Sequence, residues 1–210
     1  MIRILIADDH AIVRKGIKQL LVEEYPTSKI GEVPDGGSLI KKVINEKWDV
    51  VICDLDMPGR GGLDAMRQIK EINPKLPVLI MSIYPEDQYA VRVLKAGAAG
   101  YISKDAATEE LVKAVQVVLQ GRKYISSTLA EIIIEDIGCD SAEKPPHKSL
   151  SDREFEIFIL IASGKSVSVI AEKLSLSSAT VSTYRARILL KMSMKANPEL
   201  TRYALDNRLI

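Results

Sequence analysis

Three short runs, ILIA at 4–7, VVIC at 50–53 and VLIM at 78–81, are apolar throughout and rich in β-branched residues. Each ends in a polar residue and is followed, after a turn, by a stretch of helical period. A strand with one face in water alternates apolar with polar residues. A strand that is apolar at every position must be covered on both faces, as in a parallel sheet between two layers of helices. Weaker runs at Ser28–Val33 and Gly100–Ile102 take the same place in the repeat. The spacing therefore predicts strands at Arg3–Ala7, Ser28–Val33, Val50–Asp54, Pro77–Ser82 and Gly100–Ile102, with helices over 11–24, 37–46, 63–72, 86–96 and 107–120. The fold class is α/β, doubly wound.

After about residue 121 the pattern changes. One amphipathic segment at 127–137 is followed by a polar, proline-terminated stretch from Gly138 to Pro146, which is expected to be a linker. From Glu131 to Lys144 there are five acids and one base, the composition of a solvated acidic tether. Beyond Ser149 no strand-like alternation survives. Ser151-Asp152-Arg153-Glu154 has capping-box spacing and opens a helix ending near Gly164; further helices are expected at 167–174, 178–192 and Pro198–Asp206. The second and third, joined through Ser175-Leu176-Ser177, form a candidate helix-turn-helix. Expected boundaries are 1–121 for the α/β domain, 122–148 for a linker with one helix, and 149–210 for the all-α domain.

The whole chain, with 29 Lys plus Arg against 28 Asp plus Glu in 210 residues, carries no global polyelectrolyte signal. Charge is local instead: Ser178–Lys195 holds Arg185, Arg187, Lys191 and Lys195 and no acid. Asp8 and Asp9 close the first apolar run too early for a signal-peptide core, and Leu76–Pro85 is about half the roughly 20 residues that span a bilayer. No secretion and no membrane partner are expected. Two cysteines, Cys53 and Cys139, make neither a disulfide framework nor a metal spacing, which suits a reducing, cytoplasmic location.

In an open parallel sheet, ligands bind beyond the carboxyl ends of the strands, where strand order reverses. The unusual residues fall there. Asp8 and Asp9 follow strand 1, Asp54 ends strand 3, Ser82 ends strand 4 and Lys104 lies just past strand 5. In a 2-1-3-4-5 order, strands 1 and 3 are neighbours and three carboxylates converge. Like charges so placed raise one another's pKa unless a cation neutralises them, and an all-oxygen site with room for water suits Mg²⁺. One carboxylate is then left as a nucleophile toward a phosphoryl group, whose oxygens would meet the ion, an ammonium and a hydroxyl. Asp54 is the expected nucleophile, Asp8 and Asp9 the metal ligands together with Asp54 and the main-chain carbonyl of Asp56, Lys104 the counter-charge and Ser82 the hydrogen-bond donor. Taken singly, an acid pair at a strand end is more often a helix cap and Asp54 before Pro58-Gly59 a turn residue. The joint pattern carries the inference.

ILIADDH, VVICDLDMPGRGGLDAM, LIMSIY and AGAAGYISKD together resemble the receiver domain of two-component response regulators. The stretch LSDREFEIFILIASGKSVSVIAEKLSLSSATVSTYRARILLKM is similar to the LuxR-type helix-turn-helix, and the pair matches the NarL/FixJ family. The resemblance implies a flavodoxin-like doubly wound five-stranded parallel sheet followed by a four-helix DNA-binding domain. It also implies that Asp54 accepts phosphate from a sensor histidine kinase in the presence of Mg²⁺. Ser82 and Tyr101 fall where a hydroxyl turns toward the phosphoryl group and an aromatic ring packs inward behind it. Beyond that chemistry at Asp54, no enzymatic activity is implied.

In the same family the helix at 178–192 would enter the major groove. Phosphate contacts are then expected from Thr180, Tyr184, Arg185, Arg187 and Lys191, and base contacts from Ser182 and Thr183 with Ala186 beside them. Many relatives carry lysines where this chain has Ala179 and Ser182, so direct base discrimination is expected to be weaker and shape or spacing to count for more. One domain of this size reads about one half-site, so a homodimer on double-stranded DNA with repeated half-sites is expected. Two alternatives stay open at this point. A Mg²⁺-dependent phosphohydrolase would use Asp56, two residues after the nucleophile, as general acid, although its nucleophile belongs on the first strand. A regulator that works without phosphate would have no need of Asp8, Asp9, Asp54, Ser82 and Lys104 together.

Overall fold

The structure is a computed structural model in which residues 1–59, 61–105, 108–138 and 145–210 are described, the side chains of 135–138 excepted. The tether residues 139–144, Cys139 among them, and residue 107 at the expected start of the fifth helix lie outside these. The chain forms two compact units, Met1–Ile134 and Glu135–Ile210.

In the first unit five strands, β1 (Arg3–Ala7), β2 (Lys29–Val33), β3 (Val50–Asp54), β4 (Val78–Ser82) and β5 (Gly100–Ser103), form one parallel sheet in the order 2-1-3-4-5. Helices α1 (Ala11–Glu24), α2 (Gly36–Asn45), α3 (Gly62–Ile72), α4 (Glu86–Lys95) and α5 (Thr108–Leu119) follow the strands in turn. Side chains of a strand alternate between faces. Ile4 and Ile6, Val50 and Ile52, and Leu79 and Met81 join Ile17 and Leu21 of α1 and Leu111, Ala114, Val115 and Val118 of α5 in one core. The intervening residues Leu5, Val51, Val78 and Ile80 are equally buried, on the face that α2, α3 and α4 cover. Both faces are dry, which is why β1, β3 and β4 could carry no alternation.

Element ends shift by a residue for local reasons. Ser28 N–H turns back to the Tyr25 carbonyl at 2.9 Å, so β2 starts at Lys29. Asp35 accepts the Ser38 N–H at 2.8 Å and caps α2, which starts at Gly36. After α5, a sixth helix, α6, spans Ser127–Gly138.

In the second unit a 3-10 turn at Pro146–Ser149 leads into α7 (Asp152–Ala162), α8 (Val167–Lys173), α9 (Ser178–Lys191) and α10 (Asn197–Asp206). The capping box forms: Ser151 Oγ accepts the Glu154 N–H at 3.4 Å and Glu154 Oε2 accepts the Ser151 N–H at 2.8 Å. α7 packs on α9 and α10 through Phe155, Ile157, Phe158, Leu160 and Ile161, all buried. Rings of His147, Phe155, Phe158 and Tyr203 adjoin at 5.8–6.3 Å between centroids. No helix among the described residues is long and apolar enough to cross a membrane.

Candidate functional site

Register brings the polar strand ends level. Ala7 pairs with Cys53, Asp54 with Met81 and Ser82 with Ser103, so Asp8, Asp54, Ser82 and Lys104 line one edge of the sheet. Asp8 and Asp54 are buried, at 1 % and 3 % exposure, a placement carboxylates take only with partners. Lys104 supplies one: its Nζ lies 2.7 Å from Asp8 Oδ2 and 2.7 Å from Asp54 Oδ2. The other Asp8 oxygen accepts the His10 N–H at 2.7 Å, just ahead of α1, and Arg14 Nη1 donates to the Asp8 carbonyl at 2.6 Å. One Asp8 oxygen thus meets Lys104 and the other the backbone just ahead of α1, while α1 itself has His10 at its N-cap with no side-chain cap bond.

Asp9 is exposed and its Oδ1 lies 2.7 Å from His10 Nδ1. One ligand atom from each of Asp8, Asp9, His10 and Asp54 falls within 4.8 Å of the others. Three of those donors are carboxylate oxygens, the donor class a hard divalent ion such as Mg²⁺ prefers, while one lysine alone leaves the carboxylates in excess.

Burial raises the pKa of Asp54, the hydrogen bond and charge of Lys104 lower it, and the neighbouring Asp8 adds to the rise; the net shift is upward. For Lys104, burial works against the charge, but the hydrogen bonds from Asp54 and Asp8 outweigh it and its pKa is raised. Contact between the two thus opposes, for each, the effect of burial on its charge.

The loop after Asp54 folds back. Asp56 N–H donates to Asp54 Oδ1 at 3.3 Å, and Gly62 N–H donates to the Leu55 carbonyl at 2.9 Å. Gly62 starts α3 directly against β3: a Cβ there would overlap the Asp54 carbonyl oxygen. Cys53, fully buried beside Asp54, has its thiol pKa pushed up by burial, which disfavours the reactive thiolate and fits a packing role.

On the far side of Asp54, Ser82 is fully buried and its Oγ accepts the Tyr84 N–H at 3.1 Å. Tyr101 is turned inward, fully buried, and its hydroxyl donates to the Tyr84 carbonyl at 2.6 Å. Ser82 and Tyr101 therefore hold the same residue, Tyr84, one by each end of its backbone.

In the second unit, α8 and α9 are joined through Leu174–Ser177, with Ser175 at φ 51°, and Ser177 caps α9 by accepting the Thr180 N–H at 3.0 Å. Val181, Ile188 and Leu189 face the core; Ser182, Thr183, Ala186, Arg187 and Lys191 are exposed, and Thr180, Tyr184 and Arg185 half-buried. Several have internal partners. Arg185 Nε donates to Asn197 Oδ1 at 2.6 Å, Lys191 Nζ pairs with Glu154 Oε2 at 2.6 Å, and Thr183 Oγ1 donates to the Ala179 carbonyl at 3.0 Å.

Residues 4–116 match the response regulator receiver domain, and residues 148–204 match the luxR family of bacterial regulatory proteins. The chain is 37% identical over 210 residues to the response regulator GacA of Pseudomonas viridiflava, covering 100% of this chain and 98% of that one. It is 39% identical over 214 residues to the oxygen regulatory protein NreC of Staphylococcus haemolyticus, covering 99% of each. The chain is a response regulator of the NarL/FixJ family. Among solved structures, RcsB from Salmonella enterica serovar Typhimurium, bound to promoter rprA in the presence of phosphomimetic BeF3-, superposes with a TM-score of 0.68 at 29% identity, over 97% of this chain and 98% of that one.

This response regulator thus joins a receiver domain to a LuxR-type DNA-binding domain, and the phosphohydrolase alternative falls away. Several of its functional contacts were not anticipated from sequence. Arg14 and Gly62 fix the backbone of Asp8 and Asp54, yet an arginine or glycine in a helix announces nothing about the strand beside it. Tyr84 links Ser82 to Tyr101 through its backbone alone, which no side-chain pattern encodes. His10 did carry a signal, standing directly after the acid pair.

Proposed function

We propose that Asp54 accepts a phosphoryl group from a sensor histidine kinase and that this switches the promoter binding of a cytoplasmic, dimeric transcription regulator. The convergence of Asp8, Asp54 and Lys104 on one sheet edge, with the Ser82 hydroxyl beside them, supports the reading. Asp8, Asp9 and Asp54, with the main-chain carbonyl of Asp56, would hold Mg²⁺. When bound, the ion supplies positive charge that offsets the carboxylates and the phosphoryl oxygens.

The Asp54 carboxylate attacks the phosphorus of the kinase phosphohistidine. A P–O bond forms as the P–N bond breaks, and the imidazole nitrogen keeps the electron pair and takes up a proton from water. Lys104 transfers its pairing from the carboxylate to a phosphoryl oxygen. Ser82 turns its hydroxyl toward the new group of about −2 charge, and Tyr101 packs behind it.

In the second domain, α9 would lie in the major groove. Thr180, Tyr184, Arg185, Arg187 and Lys191 would meet phosphates, and Ser182 and Thr183 the base edges. One α9 covers a single half-site, so two copies on repeated half-sites are required for a full operator. The working boundaries are 1–121, 122–148 and 149–210.

The deciding experiment is labelling by acetyl phosphate in Mg²⁺. Asp54→Asn is expected to abolish it; labelling retained at normal stoichiometry would remove Asp54 as the acceptor.

A further inference from the structure

The segment after α5 remains part of the receiver unit. Tyr124 donates its N–H to the Ala99 carbonyl at 2.8 Å, buries its ring in the sheet's core, and donates its hydroxyl to Glu110 at 2.9 Å. It lies so close over β5 that a Cβ on Gly100 would come within 2.9 Å of the Tyr124 carbonyl oxygen. Two residues on, the Ser126 hydroxyl both donates and accepts. Its oxygen accepts the Leu129 N–H at 3.0 Å, capping α6, and its proton is shared between the two Glu86 carboxylate oxygens at 2.9 and 2.7 Å. Leu129 is itself fully buried, so the first turn of α6 is anchored on the receiver.

Glu86 is the first residue of α4 and stands four residues after Ser82. The intervening loop is held by the two contacts already described, Tyr84 N–H on Ser82 Oγ and Tyr101 hydroxyl on the Tyr84 carbonyl. The Tyr84 ring also stacks on Tyr89 of α4, with centroids 4.9 Å apart. A hydroxyl that rotates away from Tyr84 releases one end of a short, taut segment whose other end carries Glu86.

We propose that the Glu86–Ser126 hydrogen bond is a positioning contact that carries the state of the Ser82–Tyr84 loop to the first turn of α6, and that it opens when Asp54 is phosphorylated. The proposal rests on the reading of Asp54 as phosphoacceptor. With Glu86 withdrawn, only the Leu129 N–H still holds the Ser126 hydroxyl, and the cap of α6 is weakened just where the chain leaves the receiver for the DNA-binding domain. Ser126 thereby acts at a distance from the phosphoryl group and touches none of the reacting atoms.

The test is amide hydrogen exchange on the full chain, with Mg²⁺ and beryllofluoride as the phosphoryl mimic and fluorine NMR to score the bound mimic. Binding of the mimic is expected to speed exchange at Leu129 and Ala130 about fivefold, the effect of losing an N-cap. Ser126→Thr, which keeps the hydroxyl, should respond in the same way. Glu86→Ala removes the carboxylate in both states, so exchange at these amides should already be fast and should be the same with and without bound mimic. The link is overturned by unchanged exchange in the native chain carrying bound mimic, or by a full response in Glu86→Ala. A native chain that binds no mimic overturns the phosphoacceptor reading, and the link with it.

Discussion

The ammonium of Lys104 lies 2.7 Å from Asp54 Oδ2 and, ahead of the Asp56 N–H, opposes the burial-driven rise of the Asp54 pKa. In the proposed reaction the nucleophile is the ionised carboxyl. A raised pKa means that the ionised form is lost, as pH falls, sooner than for an ordinary aspartate near pH 3.9. Labelling by acetyl phosphate should therefore decline on an acid limb above that value. Lys104→Met removes a lowering influence, so its limb should lie at still higher pH, whereas raising Mg²⁺ should push the limb down. Rates of labelling measured across the acid range check both shifts, and a Lys104→Met limb that coincides with that of the native chain would separate Lys104 from the nucleophile.

Two glycines in helices should respond oppositely to alanine. Gly16, exposed in α1, has nothing within 4 Å of an added Cβ. Gly16→Ala should stabilise the receiver by about 0.5–1 kcal/mol through helix propensity and a less free unfolded chain. Gly62→Ala instead drives a methyl into the Asp54 backbone, and overpacking of that kind costs about 1–3 kcal/mol. Since the strain falls on Asp54 itself, Gly62→Ala should also slow acetyl phosphate labelling. Calorimetric unfolding and labelling rates on the two variants read the contrast.

The pH dependence of the DNA-binding domain should centre on Glu154. Burial raises its pKa, but the hydrogen bond from Lys191 and those with Ser151 prevail, and the carboxyl is held below the usual glutamate range. A carboxyl with a lower pKa folded than unfolded adds stability above the unfolded value, about 4.3, and that stability drains away as pH falls through the folded value. Glu154→Gln can still complete the capping box but carries no charge for Lys191. Its unfolding temperature should be lower than that of the native chain at neutral pH, and the gap should close below about pH 4. A gap that persists in acid would assign the effect to packing.

β1, β3 and β4 were readable because each is buried on both faces, and the acids and the lysine because strand ends in a parallel sheet fall on one edge whatever lies between them. Asp8, Asp54, Ser82 and Lys104 could thus be placed together before any coordinate. Contacts made through backbone or between remote surfaces were not readable. Ser126 on Glu86 and Arg185 on Asn197 depend on which helix faces meet, and periodicity gives a helix its face without naming the neighbour. The segment around Tyr124 shows the same limit. Its short apolar content is too small to register as a core element, yet Tyr124 and Leu129 are buried in the receiver unit.

The cations of α9 should differ in what their loss does. Arg187 is exposed and makes no ion pair or hydrogen bond among the described residues, whereas Arg185 is tied to Asn197 and Lys191 to Glu154. A side chain that only meets phosphate changes the salt dependence of binding, by about 0.9 in the slope of log K against log salt for each contact. Arg187→Ala should lower that slope by about this amount, weaken binding to all sequences alike, and leave the unfolding temperature where it was. Lys191→Ala would remove a proposed phosphate contact and also strands the buried Glu154 carboxylate, so slope and unfolding temperature should fall together. Arg185→Ala should do the same through Asn197 at the start of α10. Binding titrations on one promoter fragment at several salt concentrations, set beside calorimetry of the free protein, separate the two behaviours; an Arg187→Ala chain with an unaltered slope would mean that this face of α9 lies away from the phosphates.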